Sequence, residues 1–323
     1  MHSRHWIHAI IENVTSLRRH IVVAINPHAA FGKNRASGNR VVAALRDAGY
    51  NVTALREKDF EDLVAVTKRA IEGLPTAGEH SPSPADALVV VGGDGMVSLG
   101  VNLIAQSIIP LGIVPSGTGN DLARGLGIPV GDLEASIRHL LTALSAPARA
   151  IDLARITCGE KTTYFACILS DGFDAIVNER ANSMTWPKGK SRYTLALLLE
   201  LVGLTAVQYS LTVDGVSSTV GANLISIANN TSMGGGMLVA PDASLTDGLL
   251  DVFVLQPVSR LRFLKLFPRV FAGTHISEPE VIITRGKRIR LEAPGIVTYA
   301  DGERVGPLPV EVEVVPAAAL ILF

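Results

Sequence analysis

Apolar residues are spaced in two different ways along this chain, and the change falls near residue 148. Before it they come in short unbroken runs: IVVAIN at 21–26, NVTAL at 51–55, ALVVV at 87–91 and LGIV at 111–114. Between these runs the spacing turns helical, predicting helices over 40–48 (ended by Gly49) and 62–73 (with Asp59 as cap), and a third from a glycine turn at 92–95 to about Gln106. The Pro/Ser-rich stretch 74–86 reads as a polar loop. Non-alternating strands that take turns with helices imply a parallel sheet covered on both faces.

Beyond residue 148 the runs ARAIDLARIT, TTYFACILS, VQYSLTVDG, ANLISIAN and LLDVFVL are short, rich in β-branched residues and separated by turns such as DGV and GGGM. This pattern predicts an antiparallel sandwich. Helical interruptions are expected only over 174–184, 193–206 and 259–272, with Pro268 interrupting the last. The fold class is therefore α/β: an N-terminal doubly wound, mostly parallel sheet domain over 20–148 and a C-terminal antiparallel β-sandwich domain over 149–307. The terminal PVEVEVVPAAALILF is strand-like and ends in apolar residues that need a sheet, so 308–323 is able to return to the first domain. At the other end, Ile7, Ile10, Ile11, Val14 and Leu17 fall at helical spacing, which predicts an amphipathic helix over 1–19. His2, His5 and His8 are three apart and read as part of that helix rather than as a metal site.

Composition narrows the function more than the fold. The 323 residues are 48% apolar but only 18% charged, against about 25% in an ordinary soluble chain. A large core or an apolar contact surface accounts for that deficit. A net charge of −1 gives no electrostatic case for nucleic acid. Cys158 and Cys167 have neither a disulfide framework nor metal-ligand spacing, so both read as small apolar residues in a reducing compartment. No segment approaches the ~18 apolar residues of a membrane span, and the opening lacks the pattern of a signal peptide. A cytoplasmic location is expected.

Three candidate ligand loops follow strand ends, where open α/β sheets bind ligands: NPHAAFGK at 26–33, GGDG at 92–95 and SGTGND at 116–121. Glycines let successive backbone N–H groups converge on an anion, and a following helix adds its positive end. None of the loops fits the dinucleotide or Walker fingerprints. Asp94 is also misplaced for a bare phosphate, because two unit charges about 4 Å apart repel by roughly 4 kcal/mol at an effective dielectric near 20. A bridging Mg²⁺ reverses the sign, so GGDG suits a metal-bound polyphosphate. The alternative is that Asp94 simply satisfies backbone donors in a tight turn.

In order and spacing these motifs resemble the catalytic domain of the diacylglycerol kinase family, which includes bacterial lipid kinases and sphingosine kinases. The resemblance runs from residue 20 through Asn26-Pro27, GGDG, PLGIVPSGTGNDLARGLGIP, IDL at 151–153, GGGMLVAPDASLTDGLLDV at 234–252 and ADGERV at 300–305. It implies a nucleotide site in the cleft between domains, with ATP and Mg²⁺ as cofactors. Asn26, Pro27, Lys33, Gly92, Gly93, Asp94, Gly95, Ser116, Gly117, Thr118, Gly119 and Asn120 would surround the nucleotide. Asp94, Asp121 and Asp152 would form the acidic set around catalytic Mg²⁺. Asp301 would take the proton of a lipid hydroxyl with Glu303 beside it, and Asp247 with Ser244 and Leu249 would hold a second, structural Mg²⁺.

Two positions depart from the family pattern. Met96 stands where a threonine is usual, removing a hydroxyl able to contact phosphate or cap the helix, and NPHAAFGK lacks the usual Ser and Gly after NP. The GGDG turn is shared with NAD kinases and phosphofructokinases, so an NAD-kinase-like enzyme acting on a soluble metabolite and a non-catalytic nucleotide-binding homologue are the alternatives. The later motifs favour a lipid alcohol as substrate. WPKGKSRY at 186–193 and SRLRFLKLFPRVF at 259–271 mix basic and apolar residues. The second suits transient contact with an anionic membrane at its inner face or, equally, a core helix with a solvated basic edge. Oligomeric state, a homodimer included, is not readable.

Overall fold

The computed structural model describes residues 19–26, 33–74, 83–171 and 199–323, with isolated positions between 177 and 196, and the backbone alone of residues 33–35 and 202. All of the expected 1–19 helix but Arg19, Pro27, the Lys33 side chain and most of the expected helices over 174–184 and 193–206 lie outside the described residues. So does the 186–193 segment except Trp186, which is exposed.

The first half is a parallel sheet. Strands β1 (His20–Ile25), β2 (Asn51–Leu55), β3 (Ala87–Gly92) and β4 (Leu111–Pro115) lie in the order β2-β1-β3-β4. Both faces are covered, which is why β1 and β3 are apolar without alternation. Ile21, Val23 and Ile25 pack on one side with Val41, Val42 and Leu45 of helix α1 (Lys33–Asp47). Val22 and Ala24 belong to the core on the other side, with Leu63 of α2 (Phe60–Ile71) and Val97 and Val101 of α3 (Asp94–Ile104). Helix α1 starts seven residues ahead of the expected 40. Its first turns carry no apolar stripe, and Gly38 touches the sheet there: a Cβ on it would lie 2.6 Å from Ile25 Cγ2. Two further helices, α4 (Asp121–Gly125) and α5 (Leu133–Leu144), follow β4.

The second half is the expected sandwich. Strands β5 (Arg149–Cys158), β6 (Lys161–Phe165), β8 (Val207–Val213), β9 (Val216–Ala222) and β13 (Arg288–Glu292) extend the first sheet through antiparallel pairs. Strands β7 (Ile168–Ser170), β10 (Leu224–Ala228), β11 (Leu250–Leu255), β12 (Val281–Gly286), β14 (Val297–Ala300) and β15 (Glu303–Pro307) form a separate sheet, ordered β12-β11-β10-β7-β14-β15. Ile156, Tyr209, Leu291 and Val312 of the first sheet meet Ile225, Ile227, Leu250 and Val252 of the second in one buried cluster.

A single strand, β16 (Val310–Leu322), runs through both halves. It is antiparallel to β13 and β5, then parallel to β4 through Ile321 and Leu322. Its pairing with β5 shifts between Val315 and Ala319, where Ala317 adopts the left-handed conformation at φ 50°. The Asp152 carboxylate accepts the Ala317 N–H at 2.8 Å and the Gly248 N–H at 2.7 Å, fixing the kink where the strand passes from sandwich to parallel sheet.

Helix α6 (Arg260–Phe271) does not break at Pro268, contrary to the sequence expectation. The carbonyl that loses its N–H partner there is that of Leu264. Leu264 and Pro268 are both exposed, so water is available to the carbonyl. Among the described residues no helix is long and apolar enough to cross a membrane.

Candidate active site

The ends of β1, β3 and β4 bring Asn26, the 92–95 turn and the 116–121 loop to one edge of the parallel sheet. The Asn26 N–H donates to Val91 O at 3.3 Å and the Ser116 N–H to Gly92 O at 2.8 Å, so each loop leaves its strand from a paired position. The two glycine loops touch backbone to backbone. A Cβ on Gly117 would lie 2.4 Å from the Gly93 Cα, an approach no larger residue permits.

Asp94 is the tie between the loops. Its carboxylate accepts the N–H of Asn120 and that of Asp121, each at 3.0 Å. The acid inside the glycine turn therefore satisfies backbone donors, those of the neighbouring loop at the start of α4. Asn120 likewise shapes its own loop. It sits at φ 58°, accepts the Gly117 N–H at 3.0 Å and donates to Gly117 O at 2.8 Å, and it is buried. Gly117 and Thr118 form the exposed tip, open to a ligand. Met96 is buried at 1% exposure and packs beneath the turn, where a Cβ on Gly92 would come within 2.4 Å of its Cγ. The residue at 96 is thus a core residue in this chain. Cap position Gly93 offers no side-chain acceptor to the α3 amides.

Asp121 faces the other domain. It accepts N–H groups from Gly235 at 2.9 Å and Gly236 at 3.1 Å and the Ser232 hydroxyl at 3.3 Å. Burial raises its pKa and the Asp94 charge adds to the rise, while those donors oppose it. Asn230 donates to Asp121 O at 3.1 Å and Asn229 to Asp152 O at 2.9 Å, so two consecutive asparagines reach both halves of the chain. Neither Asn229 nor Asn230 was singled out by sequence reasoning. The available signal was a polar run, NNTS at 229–232, directly after a buried strand, the same arrangement that marks the other loops.

Asp301 sits in a left-handed turn at φ 49°. Its carboxylate accepts three successive N–H groups, from Ala166 at 2.9 Å, Cys167 at 3.0 Å and Ile168 at 3.0 Å. Burial pushes its pKa up to about 6; the three N–H groups hold it down and the charge of Asp94 raises it further. A carboxylate titrating there is a better proton acceptor than an ordinary aspartate. Glu303, in the same turn, lies against the first glycine loop, since a Cβ on Gly95 would be 3.2 Å from its Oε1. Cys167 is buried among these carboxylates; burial first, then the charge of Asp301, drives its thiol pKa well up. Neither cysteine forms a disulfide.

The expected metal ligands separate into two cases. Mg²⁺ takes oxygen ligands and commonly uses one or two carboxylates, with waters and phosphate oxygens completing the shell. A Cβ on Gly119 would meet Asp94 Oδ2 at 2.2 Å and Asp121 Oδ2 at 3.2 Å, so that pair converges on the loop and fits an ion arriving with a polyphosphate. Asp152 is not gathered with them; its carboxylate lies at the kink of β16, on the Gly248 and Ala317 amides. Among the described residues no three acidic, His or Cys side chains gather as a metal cage. The second set would hold its cation through the Asp247 carboxylate and the backbone oxygens of Ser244 and Leu249, and here that carboxylate is already engaged. Asp247 is ion-paired with Arg285 and accepts the Leu249 N–H at 3.0 Å, while the Ser244 hydroxyl accepts the Thr246 N–H at 3.3 Å. The positive charge at that place is a guanidinium, which also lies 3.3 Å from the buried Asp251.

Behind the 233–237 turn is an apolar cavity of about 70 Å³, lined by Met233, Met237, Phe253, Phe263, Leu266 and Phe267 among others. His275 borders it, buried, with its pKa lowered by that burial and Nε2 3.0 Å from Val239 O.

Comparison with known proteins identifies the family. Residues 20–156 match the family described as the diacylglycerol kinase catalytic domain, and residues 167–323 match the YegS C-terminal NAD kinase beta sandwich-like domain. A diacylglycerol kinase of Mycobacterium tuberculosis is 37% identical over 312 residues, covering 95% of this chain and 97% of the relative. A probable lipid kinase YegS-like protein of Chromohalobacter salexigens is 32% identical over 228 residues, covering 69% and 71%. The crystal structure of a diacylglycerol kinase from Bacillus anthracis superposes with a TM-score of 0.67 at 20% identity, covering 95% of this chain and 97% of that one, a likeness of fold.

Proposed function

We propose that this chain, which belongs to the diacylglycerol kinase family, is an ATP- and Mg²⁺-dependent lipid kinase that phosphorylates the hydroxyl of diacylglycerol or a similar long-chain lipid alcohol. The observation that carries this reading is the 233–237 turn. Its methionine side chains line the apolar cavity, and its glycine amides hold Asp121, which hydrogen-bonds through its own N–H to Asp94. The end of an acyl chain entering the cavity would therefore be coupled through one short turn to the phosphate loops.

Phosphoryl transfer asks for positioning and charge neutralisation more than for covalent chemistry. The amides of the 92–95 turn and the exposed tip at Gly117 and Thr118 bind and orient the polyphosphate. Asp94 and Asp121 would hold Mg²⁺, which neutralises phosphate charge when bound. The acceptor hydroxyl oxygen forms a bond to the γ-phosphorus as the bond to the β–γ bridging oxygen breaks. ADP leaves and the hydroxyl proton passes to Asp301, whose raised pKa suits it to that role. The close N–H groups on Asp301 keep its carboxylate oriented.

Incorporation of labelled phosphate from ATP tests this directly, with a total lipid extract and defined diacylglycerol, ceramide, sphingoid base and polyprenol standards. A labelled, organic-soluble phosphate monoester is expected, and its mass identifies the acceptor. Label appearing only in a water-soluble product would replace this reading with that of a soluble-metabolite kinase.

A further inference from the structure

We propose that Asn102 and Asn230 are positioning residues: they tie the backbone segment that carries Asp301 to the two helices that begin at the glycine loops, and so fix the base relative to the nucleotide. This rests on the kinase reading and names the side chains that register its two halves.

Asp301 belongs to the sandwich and the glycine loops to the parallel sheet, so transfer needs a fixed distance between two separate parts of the chain. The Asp301 carboxylate is held by the N–H groups of Ala166, Cys167 and Ile168, and its own N–H donates to Ile168 O at 3.0 Å. The carbonyls before that last one are engaged elsewhere. Cys167 O accepts the N–H of Asn229 at 2.8 Å and that of Asn230 at 3.1 Å. Ala166 O accepts the Asn229 side chain at 3.0 Å. The amides of residues 166–168 thus serve the base, while the carbonyls of Ala166 and Cys167 serve the asparagine pair.

Asn230 carries that link to α4. Its Nδ2 donates to Asp121 O at 3.1 Å and lies 3.4 Å from Cys167 Sγ, and the residue is buried. The helix approaches so closely that a Cβ on Gly125 would stand 2.1 Å from Asn230 Oδ1. Asn102 makes the second link, from α3, the helix that starts at Asp94. Strand β6 pairs with β5 along one edge. At Tyr164 the Asn102 carboxamide takes the place of a strand on the other edge. Its Oδ1 accepts the Tyr164 N–H at 2.9 Å, and its Nδ2 donates to Tyr164 O at 3.0 Å. The same Oδ1 accepts the Thr163 hydroxyl at 2.8 Å, and Nδ2 reaches Ser98 O of its own helix at 2.9 Å.

The segment under Asp301 is therefore pinned at Tyr164 to α3 and at Cys167 to α4. Neither asparagine is among the groups placed around the polyphosphate. A reacting atom displaced by about 1 Å can cost on the order of 10²-fold in rate. Losing either pin should thus slow the chemical step and leave nucleotide binding alone.

The test uses the full chain, the variants Asn102→Ala, Asn102→Asp and Asn230→Ala, and Asp86→Ala as a control for stability. Asp86 accepts the His20 N–H at 2.6 Å, at the end of the parallel sheet opposite the loops. Asn102→Ala should lower kcat on diacylglycerol by roughly ten- to a hundredfold, with KM for ATP within about twofold of the parent's. Asn230→Ala should show the same split. Asn102→Asp keeps the acceptor for Tyr164 N–H and the Thr163 hydroxyl and should fall between. Asp86→Ala should melt lower and keep the parent's kcat. Parental kcat in Asn102→Ala would overturn the proposal, as would a loss of ATP affinity matching the loss of rate. A rate loss of equal size in Asp86→Ala would reduce the effect to stability and overturn it too. Amide hydrogen exchange gives a readout that needs no turnover. The amides of Ala166, Cys167 and Ile168 should exchange about tenfold faster or more in both alanine variants, with β1 and β3 unchanged. Parental protection of those three amides would overturn the proposal. If the parent phosphorylates no lipid alcohol, the kinase reading fails on that result alone, and exchange still decides whether the asparagines hold the Asp301 segment.

Discussion

Asp94 Oδ1 lies 3.0 Å from the backbone nitrogen of Asp121, so the acid of the first glycine turn is a ligand of the second loop before any substrate is present. Its other oxygen takes the Asn120 N–H in the same way. One side chain thereby sets the spacing of the two glycine loops and presents a carboxylate at their junction.

Replacing Asp94 with asparagine should therefore damage both stability and nucleotide response. The amide cannot accept two N–H groups in the same geometry. With charge-assisted bonds worth about 1.5–3 kcal/mol each, a loss of roughly 2–4 kcal/mol is expected in urea unfolding. The thermal shift on adding Mg-ATP should disappear as well. A variant as stable and as responsive as the parent would show that Asp94 has neither role.

Gly117→Ala isolates the contact between the loops. The added Cβ would sit 2.4 Å from the Gly93 Cα, against backbone that cannot rotate aside. The loops must move apart, and at least a tenfold loss of ATP affinity, roughly 1.4 kcal/mol, is expected by calorimetry. Gly127→Ala serves as the contrast. It strains a φ of +71° but has nothing within 4 Å, so it should lower stability and leave ATP affinity alone.

Asp152→Ala should act on stability more than on metal dependence. Its carboxylate satisfies Gly248 and Ala317, the latter at the kink of β16, and removing it leaves two amides without that acceptor. A fall of about 2–4 kcal/mol in unfolding free energy is expected. The Mg²⁺ concentration for half-maximal activity should stay near that of the parent. A large rise in that concentration without loss of stability would restore Asp152 to the metal shell.

Asp301 gives a pH signature with a defined sign. As a base it works deprotonated, so kcat/KM should be flat above about pH 7 and fall tenfold per unit well below the pKa of about 6. The stability effect runs the other way. Burial raises the folded-state pKa above the ordinary 3.8, so the stabilising contribution is full below about pH 4 and is lost as pH rises through about 6. Activity lost at pH 5 with an unchanged circular dichroism spectrum would thus belong to the base, not to unfolding. Asp301→Asn should lower turnover by roughly 10²–10⁴-fold. Near-parental turnover in that variant would remove the assignment.

The sequence by itself determined the elements that local spacing and turn chemistry control. Unbroken apolar runs marked β1 and β3 because both faces of each strand are buried, and glycine-rich turns marked the loops at their ends. Motif order was enough to identify the family. Spacing was silent where burial involves no apolar stripe, as in the first turns of α1, and it misjudged Pro268, whose cost depends on whether solvent reaches one carbonyl. Only the tertiary structure decided how carboxylates alike in sequence divide their work. Asp94 joins two loops, Asp121 joins two domains, Asp152 fixes a strand kink and Asp247 meets Arg285. Each outcome depends on which backbone N–H or cation a distant segment brings within about 3 Å, and hydrogen bonds act only at that range. No local pattern records those meetings.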